Sequence, residues 1–226
     1  MMIAASAAIL GFAIHLFRSA PLAVTPLTAG PVAGVTVEPI SLRDAVIKGS
    51  PRARTVVIEY SDFECPFCRS FARATLPEVT ARYIETGVVQ FVFRHLPLPR
   101  HTRAFKAAEA AECAGHDGKF WEMHDSLFLE PARLELGYYV ERAQVLGLEP
   151  RRFATCLAGE AADHVRADVA EARRLGVNGT PTFFLGNLRA DGRVEVTRRH
   201  AGVLSIDTFE RLIKETMAVA APGRTE

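Results

Sequence analysis

The sequence predicts an α/β protein in which a βαβ unit and a ββα unit are separated by an all-helical insertion. Three observations carry this. Thr55–Tyr60 and Val88–Arg94 are short runs rich in β-branched and apolar residues, the pattern of strands buried on both faces, and a long helical stretch lies between them. From Arg103 to Arg174 the chain is rich in Ala, Glu and Arg at helical spacing. Finally, Thr182–Leu185 and Arg193–Arg199 flank the turn-like Asn187–Gly192, which reads as a hairpin.

Taken in order, Ile3–Phe17 is apolar except for Ser6 and His15, and Arg18 follows it. That length suits the core of a signal peptide and is short for a bilayer span. No Lys or Arg precedes the run, and no Ala-x-Ala site stands out, so a cleaved signal, a membrane anchor and a buried N-terminal helix all stay open for residues 1–18. Residues 19–34 are rich in Pro, Gly and Ala, as befits a linker to a folded body outside the cytoplasm, in the periplasm or cell envelope. Val35–Glu38 reads as an edge strand and Ser41–Lys48 as a short helical or turn segment. The first long helix runs from Cys65 to about Thr86, and Pro77 within it predicts a kink or break. Strand, helix and strand then form a right-handed crossover. The insertion, residues 101–175, holds four or five helices, interrupted at Gly115–Gly118, Glu130–Arg133 and Gly147–Pro150. It divides residues 35–100 from residues 176–220, where Ser205 is placed to cap a last helix reaching Val219.

Composition narrows the function. Hydrophobic residues make up 49% and charged residues 23%, ordinary for a folded domain, and a net charge of +1 offers no field for nucleic acid. Nearly all the basic residues are Arg, spread over predicted helix and strand faces. The histidines form no motif: His95 and His101 flank Leu96–Arg100, and His116 and His124 surround Phe120-Trp121.

The four cysteines are more specific. Cys65-Pro66-Phe67-Cys68 sits where a strand gives way to a helix. At a helix N-terminus, free backbone N–H groups and the helix dipole favour a thiolate on Cys65, and Pro66 suits the first helical position because it has no N–H to lose. A thiolate is what thiol–disulfide exchange requires. Zinc is the competing use of these residues, but Cys113 and Cys156 are widely spaced and do not form a second CxxC. A Cys–His hydrolase would use a lone nucleophile. Asp62 and Glu64 receive no role, although negative charge there would raise the Cys65 pKa.

Ser61-Asp62-Phe63-Glu64-Cys65-Pro66-Phe67-Cys68 together with Gly176–Phe184 (GVNGTPTFF) resembles the DsbA-like family of exported thiol–disulfide oxidoreductases, over residues 40 to 219. The resemblance implies a thioredoxin fold (βαβ…ββα) with a helical insertion, no cofactor and no metal. It makes Cys65 the attacking and Cys68 the resolving sulfur, and Glu59 the buried acid that assists proton transfer. Pro181 becomes the cis-proline facing the pair, and Thr180 lines the substrate groove and offers its hydroxyl to the sulfur. Phe67 lies between the cysteines at the substrate surface; without the positive charge that some members place there, Cys65 should be less acidic than in the strongest oxidants of the family. Cys113 and Cys156 are either a bridge or two buried thiols acting as small apolar residues; second disulfides in this region of family members imply the bridge. The implied partners are reduced or misoxidised proteins and a quinone-linked membrane oxidase, and the expected state is a monomer. The expected direction is disulfide donation, with reduction or isomerisation, or a non-catalytic peptide-binding module, as alternatives.

Overall fold

The computed structural model describes residues 37–220. The segments read as signal or anchor (1–18) and linker (19–34), with residues 35 and 36 of the expected edge strand, lie outside them. Among the described residues no helix is long and apolar enough to cross a membrane.

Six strands form one mixed sheet: β1 (Ile40–Ser41), β2 (Val46–Lys48), β3 (Thr55–Ser61), β4 (Val89–His95), β5 (Thr182–Leu188) and β6 (Arg193–Ala201), in the order β1-β6-β5-β3-β4-β2. β3 lies at the centre, parallel to β4 and antiparallel to β5. All seven of its residues are buried, which accounts for the apolar run Val56–Ile58 and leaves Glu59 as a buried acid within the strand. Helix α1 is one continuous run of four segments, Pro66–Ser70, Phe71–Thr75, Leu76–Val79 and Thr80–Ile84. Then follow α2 (Ala104–Gly115), α3 (Phe120–Leu129), α4 (Leu136–Val145), α5 (Pro150–Thr155), α6 (Ala162–Arg174) and α7 (Ile206–Ala220). Ser205 caps α7 by accepting the Thr208 N–H at 3.3 Å.

Three apolar clusters hold these layers together. On one face of the sheet Val57, Phe91, Phe183 and Leu185 pack against Phe71, Leu76 and Val79 of α1 and Phe209, Leu212 and Ile213 of α7. On the other, Val56, Ile58, Val92 and Phe184 meet Ala172 of α6 and Val177. The third is the core of the insertion, built on Ala107, Ala111, Met123, Leu127, Tyr139 and Phe153, and it extends to Phe63, Cys65, Cys68 and Phe93. The CxxC pair therefore lies where insertion and sheet meet.

Three local expectations change. Residues 41–48 are not helical; Val46–Lys48 pairs antiparallel with Phe91–Phe93, because β4 would otherwise present an unpaired edge. Val37 and Glu38 are not in a strand, and the edge is instead Ile40–Ser41, paired with Val194 and Arg193. Pro77 neither breaks nor ends α1. Phe71–Thr75 forms a wide turn in which the Leu76 N–H reaches the Phe71 carbonyl five residues back, so the ring of Pro77 is accommodated without a break in the helix.

Candidate active site

Cys65 is the N-cap of α1, with an extended backbone (φ −74°, ψ 120°), and Pro66 is the first helical residue. The Cys65 N–H is held by the Asp62 carbonyl, and its own carbonyl accepts the Arg69 N–H, both at 3.0 Å. Both thiols are free; Cys65 is 2% exposed and Cys68 fully buried. The two sulfurs differ sharply in acidity. A hydrogen bond from the Cys68 thiol, aided by the Thr180 side chain and the backbone N–H groups of Cys68 and Phe67, outweighs burial and lowers Cys65 to about 5. Burial, with the neighbouring Cys65 and Glu59, pushes Cys68 well above the ordinary thiol value.

The loop before β5 closes over the pair. The Thr180–Pro181 peptide is cis. In the protonated state the Cys65 thiol donates to the Thr180 carbonyl at 3.3 Å. The Thr180 hydroxyl is buried and has no fixed partner among the described residues, so it is free to turn toward a thiolate. The Pro181 carbonyl accepts the Gly202 N–H at 2.8 Å, tying this loop to the end of β6.

Glu59 lies in mid-β3 between Phe93 and Phe183 and is 1% exposed, not solvent-facing. Burial raises its carboxyl to about 8; the Ser61 hydrogen bond opposes that rise and the Cys65 charge adds to it. Phe67 points outward, 61% exposed, and is an apolar surface next to Cys65. Cys113 and Cys156 are bonded to each other, closing a loop with a sequence separation of 43 and pinning α2 to the turn after α5. They are thus committed to each other and not to a metal shared with the CxxC pair.

Asp62 and Glu64, which the sequence left without a role, frame the site. Asp62 accepts the Glu64 and Leu98 N–H groups, both at 2.7 Å, and contacts His101 Nδ1 at 2.8 Å. Glu64 accepts the Arg103 and Ala104 N–H groups at the start of α2 and the Arg103 guanidinium at 2.9 Å. Their charges are thus directed at His101 and Arg103, not at Cys65. Arg69 ties α1 to the insertion by donating to the Phe128 carbonyl at 3.0 Å. Ser61 was also missed, although its place two residues after Glu59 puts both side chains on one face of β3.

His124 is fully buried among Phe63, Phe93 and Phe128. His95 and His164 clasp Glu112 from two sides at 2.7 Å each. Burial alone would push Glu112 up, but these imidazoles bring it to about 2.

A family model described as Thioredoxin matches residues 42–214. Among solved structures, alpha-DsbA1 of Wolbachia pipientis superposes with a TM-score of 0.71 at 24% identity, covering 80% of this chain and 94% of that one. BdbD of Bacillus subtilis gives 0.65 at 21% identity, covering 80% and 100%. DsbA2 of Pseudomonas aeruginosa gives 0.61 at 25% identity, covering 80% and 96%. Curated relatives include the Na(+)/H(+) antiporter NhaA 3 of Salinispora tropica, 37% identical over 171 residues, which are 75% of this chain and 26% of that protein. The chain thus spans about a quarter of the length of these curated relatives. The chain belongs to the thioredoxin family and carries the helix-inserted fold of the DsbA-like proteins.

Proposed function

We propose that this DsbA-like thiol–disulfide oxidoreductase is an exported disulfide donor to folding proteins. The observation that carries the reading is the split between a Cys65 thiol lowered to about 5 and a Cys68 thiol pushed far the other way. A substrate thiolate attacks Cys65 of the Cys65–Cys68 disulfide, the sulfur–sulfur bond breaks, and Cys68 leaves and takes a proton. A second substrate thiolate then attacks the substrate sulfur of the mixed disulfide and expels Cys65 as a thiolate. The substrate loses two electrons and the pair gains them. Stabilising the departing Cys65 thiolate drives this direction, because it favours the reduced enzyme. A value of about 5 lies between roughly 7 for thioredoxin and roughly 3.5 for DsbA, in keeping with Phe67 adding no positive charge.

Exposed Phe67 and the Thr180-Pro181 loop supply the surface on which an extended substrate would lie. The Cys113–Cys156 bridge suits an oxidising compartment, periplasm or cell envelope. A quinone-linked membrane oxidase would restore the Cys65–Cys68 disulfide, with the protein acting as a monomer.

The test is refolding of a reduced, multi-cysteine substrate protein by the oxidised enzyme. Cys65→Ser should abolish the gain; equal yields from the two proteins would rule the reading out. A reduction potential near about −270 mV, that of thioredoxin, would assign the site to reduction instead.

A further inference from the structure

Glu64 precedes Cys65 and Arg69 follows Cys68, so opposite charges bracket the CxxC segment. Each reaches a helix end of the insertion that lacks such a group of its own. α2 starts after Arg103 with no side-chain cap and no acid in its first turn. An uncapped start leaves free N–H groups and the positive end of the dipole. Glu64 Oε2 takes two of those groups, the Arg103 N–H at 2.6 Å and the Ala104 N–H at 2.9 Å, while Oε1 accepts the Arg103 guanidinium at 2.9 Å. α3 is the mirror case, with no basic residue in its last turn. Arg69 supplies one from outside, donating to the Phe128 carbonyl at 3.0 Å and to that of Leu129 at 3.4 Å. Arg103, held by Glu64, also reaches the Ala132 carbonyl at 3.2 Å, so both arms close on residues 128–132.

The backbones of the same two residues are tied to Cys65. The Glu64 N–H donates to Asp62 Oδ1 at 2.7 Å, and the Asp62 carbonyl receives the Cys65 N–H at 3.0 Å. On the other flank the Arg69 N–H donates to the Cys65 carbonyl at 3.0 Å. Cys65 thus holds its extended N-cap conformation, with its sulfur 3.3 Å from the Thr180 carbonyl, between two residues whose side chains are docked on the insertion.

We propose that Glu64 and Arg69 are positioning residues: by docking the two ends of the CxxC segment on α2 and α3, they hold the Cys65 sulfur in register with the Thr180 loop. This rests on the donor reading above only for the direction of transfer. A loosened grip on either flank lets the Cys65 turn shift and deprives its thiolate of the groups that stabilise it. Charge alone predicts otherwise for Glu64, because removing a carboxylate beside a thiol makes the thiolate easier to form.

The experiment separates reach from charge. Glu64→Asp keeps the charge and loses one methylene of reach; Glu64→Gln keeps the reach and loses the charge. Arg69→Lys keeps the charge and loses the planar fork. Each reduced protein is titrated by thiolate absorbance near 240 nm, equilibrated with glutathione redox buffers, and unfolded in urea. Glu64→Asp and Arg69→Lys should raise the Cys65 midpoint from about 5 by about one pH unit and weaken the thiolate about tenfold. That tenfold change lowers the reduction potential by about 30 mV. Glu64→Gln, which still offers an oxygen to the two N–H groups, should titrate close to wild type. A lower midpoint in Glu64→Gln with no change in Glu64→Asp would show charge acting alone and overturn the proposal. A lowered urea midpoint with unmoved thiolate midpoint and potential in Glu64→Asp and Arg69→Lys would also overturn it, as a purely structural tie. If Glu64→Asp does not fold, Arg69→Lys runs the same test from the other flank. Failure of the donor reading shows elsewhere, as wild-type protein that does not refold a reduced substrate protein while these titrations stand.

Discussion

The Cys65 thiol meets the Thr180 carbonyl at 3.3 Å across a sequence separation of 115. Cys65 and the loop facing it are thus joined by a contact that only the complete fold creates. Ionisation removes the thiol proton and with it this donor; the Thr180 hydroxyl, otherwise unpartnered, then becomes the group that steadies the sulfur.

Thr180→Val should accordingly weaken the Cys65 thiolate while leaving the loop its shape. A hydrogen bond to a charged group contributes about 1.5–3 kcal/mol, so the proton affinity of Cys65 should rise by roughly tenfold or more. Thiolate absorbance near 240 nm followed through a pH titration reads this directly. An unmoved midpoint would assign the acidity to Cys68 and the helix N–H groups alone.

Stability should depend on redox state in a pH-specific way. Glu59 titrates at about 8 when folded against an ordinary 4.5, so between those values the folded state holds more protons than the unfolded. Its contribution therefore falls as pH rises through that window, by about 1.4 kcal/mol per pH unit. Cys65 behaves oppositely: its folded value of about 5 lies below an ordinary 9.0, so the reduced protein gains stability as pH climbs between them. Oxidised protein has no Cys65 thiol to titrate. From pH 5 to 8 the reduced form should become steadily more stable than the oxidised form in urea unfolding, and parallel profiles would contradict this.

Replacing Cys113 and Cys156 together by Ser should cost about 4 kcal/mol, from the entropy of a loop closed across 43 positions. The bridge ties α2 to the segment after α5 and is separate from the Cys65–Cys68 pair in bonding, so transfer from that pair should persist below the lowered unfolding midpoint. Urea midpoints and single-turnover rates measured on the same samples check both halves.

The parts legible in the sequence are those whose chemistry lies in the residue itself. A buried β-branched run announces β3 and a CxxC at a strand-to-helix junction announces a thiol pair, whereas Thr180-Pro181 is placed opposite that pair only by the family resemblance. What could not be read depends on partners far along the chain. Asp62 gains its place from Leu98 and His101, and Glu64 from Arg103 and Ala104, separations of 36 to 40 residues. Val46–Lys48 has too little local preference to declare itself; the exposed edge of β4 makes it a strand. Pro77 shows the opposite failure, in which a sound local rule meets a wide helical turn that absorbs the proline. Ser61 carried no role of its own in the sequence; its hydroxyl gains a partner because the Glu59 carboxyl two positions back is buried with it.

The outermost strands of the sheet are only two and three residues long. A long free strand edge is a template on which other extended segments can pair and aggregate. β2 offers a template of only three residues beyond β4, whereas β1 covers β6 at Arg193 and Val194 alone, so that among the described residues Glu195–Ala201 has no outer strand. The β2 end of the sheet is therefore closed to growth by its own shortness, and the open length of β6 is where a further extended chain would find room to pair.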